Sequence, residues 1–222
     1  MKYAVITYIF GKNKEILRNP LVIDKDIEYI CVTDQKNIKS KIWKIVYDDI
    51  PEANCIRDKM VYVKYRPFKY TNADKICVID GSIEIKKSII KLFKQLEHKD
   101  ILIKKHPGRD NLNVELNAWN ILRGMSILDI AKFKFIADKN NIDLNKKFLI
   151  ESCILFFNNN NKIKNLCEDV IAYMKLIGNK KLFLSNQCML TMLIQLNDYK
   201  LDYIDYNNYF NHYCHNTFIK IK

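Results

Sequence analysis

Three features of the chain predict an α/β fold. Short apolar and β-branched runs recur along it, amphipathic stretches separate them, and one of the runs ends on an acid followed by a glycine. Runs at Tyr3–Ile9, 29–33, 42–46, 76–79 and 101–104 are mostly bounded by charged or turn residues, as strands buried on both faces are. Between them, 57–65 and 88–98 carry apolar residues at three- and four-residue spacing, the mark of helices with one buried face. That alternation is βαβ logic, which favours parallel pairing.

Beyond Asn111 the pattern turns helical. A first helix is expected at Leu112–Arg123, and a second where Ser126 and Asp129 suit a capping box ahead of Ile130, Phe133 and Ile136. Residues 148–157 read as a late strand, and 162–177 and 185–196 as helices. The asparagine run 158–161 reads as a loop, and the tyrosine-rich end from Tyr199 as irregular. No internal repeat is present. At 222 residues and 49% hydrophobic the chain fits a single domain that buries roughly 70% of its unfolded surface.

The 37 Lys and Arg against 25 Asp and Glu give a net charge of +12, which suits anionic partners such as nucleoside diphosphates, phospholipid headgroups or nucleic acid. Because the lysines are scattered, the same charge equally describes a solvated surface. The seven cysteines (31, 55, 77, 153, 167, 188 and 214) are odd in number, lack Cys-x-x-Cys spacing and often sit in apolar runs, where a thiol acts as a small hydrophobe. A reducing, cytoplasmic setting is expected. The apolar run 3–10 has no basic leader and gives way to Gly11-Lys12-Asn13-Lys14, so neither a secretion signal nor a membrane span is expected.

Candidate site residues follow from position. Ile76-Cys77-Val78-Ile79 delivers Asp80, Gly81 and Ser82 to a turn, and a carboxylate at the C-terminal end of an apolar strand stands where open α/β sheets hold ligands. Asp80-Gly81 also suits a plain strand-ending turn, in which case its substitution leaves the fold intact. Asp34 ends the run Cys31-Val32-Thr33 in the same way, as ligand contact or helix cap. Lys64, Arg66 and Lys69 surround Pro67 and could neutralise a departing diphosphate or form ordinary basic surface. In His106-Pro107-Gly108-Arg109 the imidazole could bond a sugar or phosphate, and the guanidinium offers a bidentate fork. Glu115 on the next helix could accept from sugar hydroxyls or answer the helix dipole. Glu151 interrupts an apolar strand, so it lies at a sheet end or is buried at a cost.

Taken in order, Tyr3-Ala4-Val5-Ile6-Thr7, Cys31-Val32-Thr33-Asp34, Lys64 with Pro67, Val78-Ile79-Asp80-Gly81-Ser82, His106-Pro107-x-Arg109 with Glu115, Glu151-Ser152-Cys153-Ile154 and Asn186-Gln187 resemble a glycosyltransferase-like family first known as an uncharacterised domain. Plant mucilage and pectin proteins and proteins of bacterial surface-polysaccharide clusters represent it. The resemblance covers most of the chain. It implies a single GT-A-like domain at 1–222, with a central mixed, mostly parallel sheet flanked by helices, a nucleotide-binding half at 1–105 and a sugar and acceptor half at 106–222.

The resemblance further implies a UDP-linked sugar donor held by Thr7, Tyr8, Gly11, Asp34, Lys64, Asp80, Ser82, His106, Arg109, Glu115 and Gln187, with Glu151 and Asp80 as catalytic carboxylates. A divalent metal, Mn²⁺ or Mg²⁺, would sit on Asp80 and Ser82 with a C-terminal histidine, His212 or His215. Three positions depart from the family pattern. Ser82 replaces the second acid of Asp-x-Asp, Phe68 stands where a histidine is expected, and Asn186 where an aspartate is expected. The implied activity is transfer of a sugar from a nucleoside diphosphate to a glycan, lipid-linked or protein acceptor in polysaccharide biosynthesis; the +12 charge suits resting on an anionic inner membrane face where lipid-linked acceptors sit. Two other readings stand beside it: a catalytically degenerate GT-A binding module, which the departures favour, and a basic nucleic-acid-binding domain, which the absence of interleaved basic and aromatic residues disfavours.

Overall fold

The computed structural model describes residues 1–11, 16–123, 125–177 and 186–213. A seven-stranded sheet runs through it in the order β3-β2-β1-β4-β7-β6-β8. Its members are β1 (Tyr3–Ile9), β2 (Ile27–Thr33), β3 (Lys44–Tyr47), β4 (Lys75–Ile79), β6 (Ile101–Lys105), β7 (Ile150–Asn158) and β8 (Leu201–Tyr203). A two-stranded ribbon joins β5 (Ile83–Ile85) to β9 (Phe210–His212). Strands β3, β2, β1 and β4 pair in parallel, β7 runs against both β4 and β6, and β8 is parallel to β6. The sheet is therefore mixed and mostly parallel.

Burial on both faces explains why the central strands are apolar without a break. Side chains alternate across a strand, so Ala4, Ile6 and Tyr8 of β1 join one core cluster while Val5 and Ile9 join the other. In β4, Ile76 and Val78 divide in the same way from Cys77 and Ile79. Helices α1 (Ile56–Tyr65), α3 (Leu112–Arg123), α4 (Ile127–Lys139), α5 (Asn161–Ile177) and α6 (Asn186–Leu196) contribute to the first cluster; α2 (Ile90–Gln95) and the ribbon close the second. The cysteines of the central strands behave as core hydrophobes. Burial raises the thiols of Cys77 and Cys153 and pushes Cys31 up to about 12.

Most expected elements are present, with local differences. Ser126 caps α4 by accepting from the Asp129 N–H at 3.0 Å. The helix expected at 88–98 is α2 followed by a 3-10 turn, Leu96–His98. Between Tyr199 and Tyr213 the end is not irregular: it forms β8, the short helix α7 (Tyr206–Tyr209) and β9, and the rest of that expectation lies outside the described residues. These strands are three residues each and exist only through distant partners, β8 on β6 and β9 on β5. Thr7 and Tyr8 lie inside β1, so the segment 7–11 is a strand end rather than a loop.

Two features shape the sheet's C-terminal edge. The chain winds from β1 outward to β2 and β3, then returns to place β4 on the other flank of β1. That switch point opens a crevice between adjacent strand ends. In β7 the register jumps, with Ile103 opposite Leu155 but Lys104 opposite Glu151. A bulge of this kind re-aims side chains next to it.

Phe93 anchors the second cluster, stacked on Tyr3 at 4.7 Å and edge-on to Phe156 at 5.1 Å. Phe93→Ala is expected to lower stability by about 3–5 kcal/mol, measured as a lower urea midpoint. A loss under about 1 kcal/mol would place that cluster outside the cooperative core.

Candidate functional site

The site begins with one carboxylate oxygen. Asp80 follows β4, its backbone N–H donating to the Cys153 carbonyl at 3.0 Å and its own carbonyl accepting from Ile83 at 2.9 Å, which closes the turn through Gly81 and Ser82. Its Oδ1 is paired with the Lys64 ammonium at 2.9 Å and accepts a short hydrogen bond from the Tyr8 hydroxyl. Tyr8 comes from β1 and Lys64 from the last turn of α1, so three elements meet on this atom. Lys64 is buried while Asp80 is partly exposed. A cavity of about 250 Å³ opens there, lined by Tyr8, Arg57, Lys64, Asp80, Ser82 and Trp119 among others.

The other strand ends lie along the same edge. After β1, Gly11 adopts a positive φ of 80° and its N–H donates to Asp34 Oδ1 at 2.9 Å, while Lys59 pairs with Asp34 Oδ2 at 3.0 Å. That positive φ favours glycine, and a Cβ there would press on the tip of the exposed Ile56 side chain, 2.5 Å away. Across the bulge Lys104 Nζ lies 2.5 Å from Glu151 Oε2, at an angle poor for a hydrogen bond, and 3.8 Å above the Tyr206 ring. His212 stands on β9 opposite Ile83, edge-on to Tyr206, exposed on its outer side.

Behind this edge lies a buried polar layer. Glu115 is fully buried; its Oε2 accepts from Arg109 Nε, and its Oε1 accepts from the Trp119 indole and from Gln187 Nε2 at 2.8 Å. Gln187 Oε1 in turn accepts from the Ser152 N–H at 3.4 Å, and the Ser152 hydroxyl donates to Asn186 Oδ1 at 2.8 Å. His106 belongs to the same layer. Its Nδ1 accepts from the N–H groups of Gly108 at 3.2 Å and Arg109 at 2.9 Å, and Arg109 Nη2 stands 2.9 Å from Nε2. Both ring nitrogens face donors, so a second ring proton is unwelcome. Burial first and the Arg109 charge second hold the imidazole below its ordinary value of 6.5.

These contacts change several expectations. Glu115 and Gln187, expected at the donor, are buried and bonded to each other and to protein partners. Arg109 spends its Nε on Glu115 rather than holding an open fork. Arg66 pairs with Glu168 and Glu52, and Lys69 with Asp48, so neither faces the Asp80 cavity. Phe68 packs beside Phe157. Asp80 is more than a turn residue, because removing its charge strands a buried ammonium. Arg57, Lys59, Lys104 and Trp119 escaped the sequence reading. Only Trp119 left a signal, four residues after Glu115 on one helix face.

A divalent cation favours several hard oxygen ligands. Here Asp80 Oδ1 already faces an ammonium and a phenol, Ser82 offers a hydroxyl, and among the described residues no group of three or more His, Cys, Asp and Glu side chains could hold a metal. His215 lies outside the described residues. Asp80 and Ser82 line the cavity and could each offer an oxygen to a cation, with the Lys64 ammonium 2.9 Å from Asp80 Oδ1.

No protein-family model matches the chain, and no curated protein sequence matches it. Solved structures do. Mouse xyloside xylosyltransferase 1 in its apo form superposes with a TM-score of 0.52 at 10% identity, over 92% of this chain and 85% of that one. The apo bifunctional glycosyltransferase WbbM gives 0.55 at 13% identity, over 91% of this chain. The fold is glycosyltransferase-like, of the GT-A type. At these identities the likeness is one of fold, and the chain spans only 38% of WbbM. In this GT-A-like sheet, Tyr8 and Asp80 stand at the ends of β1 and β4, which flank the switch point, and Asp34 at the end of the neighbouring β2.

The pH dependence of stability follows from the imidazoles. Burial first lowers the pKa of both His106 and His212, so the unfolded chain takes up protons before the folded one as pH falls below about 6.5. Their contribution is complete above that pH and is lost below it, toward their folded values. Denaturant midpoints are expected to fall from pH 7 to pH 5, with a shallower fall in His106→Asn. Equal slopes would show that His106 titrates as it does in the unfolded chain.

Proposed function

We propose that the chain is a glycosyltransferase, moving a sugar from a nucleoside diphosphate donor, UDP-linked by preference, to a glycan, lipid-linked or protein hydroxyl. The observation that carries this reading is the buried Lys64 ammonium, fixed by Asp80 and Tyr8 beside a cavity at the switch point of a glycosyltransferase-like fold. A larger groove of about 820 Å³ lies near Lys2, Tyr3 and Glu28, at the opposite end of the strands. Size does not select it, because the C-terminal edge of an open α/β sheet is where strand ends and loops assemble chemistry.

In this reading the bond between the anomeric carbon and the diphosphate breaks, and the diphosphate leaves with the electron pair. Lys64 and Arg57, both lining the cavity, face the charge that develops on it. An ammonium already held in place needs no reorganisation as that charge grows, which is how oriented electrostatics lowers a barrier. The acceptor oxygen forms the new bond to the anomeric carbon and gives its proton to Glu151, whose carboxylate Lys104 orients. Asp34, bonded to the Gly11 N–H, faces the ribose or base. Asn186 and Ser82 in place of acids favour a binding module without turnover, and the same assay separates the two.

Release of free nucleoside diphosphate from a panel of UDP-, GDP- and CDP-sugars, with and without Mn²⁺, tests the proposal. One donor is expected to turn over, and Lys64→Met to reduce its rate by about a hundredfold or more. Arg57→Gln, on an exposed helix start, checks that the loss is not one of folding. Binding of a nucleotide with no turnover of any donor would favour the binding module. Preference for duplex DNA, with steep salt dependence, would overturn both.

A further inference from the structure

Helices α3 and α4 carry large apolar side chains that none of the described residues covers. Ile121 is 76% exposed, Ile127 79%, Leu128 63% and Phe135 62%. Single exposed apolar side chains are ordinary, but a contiguous set on one element marks an interaction surface. On α4, Leu128, Ala131 and Phe135 follow one another at three- and four-residue spacing, which forms a single stripe. Phe133 and Ala137 point the other way and are fully buried in the core. The helix thus has two apolar faces, of which folding uses one.

The flanks of the outer stripe are basic. Lys132 and Lys139 lie along one side and Lys134 along the other by helical phase, and the Lys139 ammonium sits 5.5 Å from the centre of the Phe135 ring. Asp129 lies off the stripe in the first turn, and the one acid on the stripe, Asp138 in the last turn, stands between Lys134 four residues before it and Lys139 next to it. We infer that this face seats the protein on an anionic lipid bilayer, with Ile121, Ile127, Leu128 and Phe135 entering the headgroup region and the lysines reaching the phosphates. Lysine stems cover apolar surface while their heads stay in water, which fits a helix lying in the interface plane. Each lysine near such a surface contributes attraction that salt screens. None of the described helices is long and apolar enough to cross a membrane, so the contact is one of lying on the surface.

Position gives the contact a use. Helix α3 holds Ile121 near its end and Trp119 one half-turn earlier, and Trp119 lines the Asp80 cavity. A bilayer under this pair lies one helix from the cavity, within reach of an acceptor anchored in lipid. The docking argument rests on exposure and charge and stands apart from the transfer reaction.

Cosedimentation of the full chain with vesicles tests it, comparing pure phosphatidylcholine with phosphatidylcholine containing phosphatidylserine. Binding is expected on the anionic vesicles only, weakened by 0.5 M salt as screening shortens to about 4 Å. Leu128→Gln with Phe135→Gln should reduce the bound fraction about tenfold, and Lys132→Glu with Lys134→Glu likewise. Melting temperatures and nucleotide binding of the variants should match the parent chain, which separates loss of docking from loss of the cavity. No binding by the parent chain, or binding of either pair of variants as strong as the parent's, would overturn the inference. So would a dimer, seen by sedimentation equilibrium, that dissociates in Leu128→Gln with Phe135→Gln while vesicles are ignored.

Discussion

The ion pair between Lys64 and Asp80 joins the last turn of α1 to the end of β4, with the Tyr8 hydroxyl of β1 on the same oxygen. A buried ammonium without a partner costs several kcal/mol, and breaking a buried pair by removing one member is worse than never having built it. Helix α1 is therefore held in register with the switch point by charge as well as by the packing of Val61, Tyr62 and Tyr65 in the core. The same constraint ties fold to function. Whatever enters the cavity meets a positive charge whose position has been fixed during folding.

A second arrangement supports the first from behind. Glu115 gathers Arg109, Trp119 and Gln187, and through Gln187 and Ser152 it reaches the bulged start of β7. A buried carboxylate is tolerable only when its acceptor sites are taken, and here three donors take them. The result is that the loop at His106, helix α3, helix α6 and strand β7 share one polar core. Trp119 at the cavity wall and the start of β7 that carries Glu151 are held by this layer.

The central strands were legible because burial on both faces leaves an unbroken apolar run, as in β1 and β4. The three-residue strands β5, β8 and β9 were not, since their pairing depends on partners far along the chain rather than on local pattern. Asp80 and Asp34 could be picked out because a strand end is a position that sequence reveals. Lys104 could not, because its meaning comes from a bulge that sets it against Glu151. Arg66 and Lys69 misled for the converse reason: they neighbour Lys64 in sequence, yet the chain turns after α1 and gives them to Glu168, Glu52 and Asp48. The burial of Glu115 was not legible, because an acid in the first turn of a helix looks the same whether it faces solvent or the core.

The account turns on where a diphosphate binds. A crystal structure with a nucleoside diphosphate bound decides this most directly. Phosphate oxygens within hydrogen-bonding distance of Lys64 Nζ, with the ribose toward Asp34, are the expected result. A nucleotide seated instead in the groove beside Lys2 and Tyr3, at the other end of the strands, would contradict it.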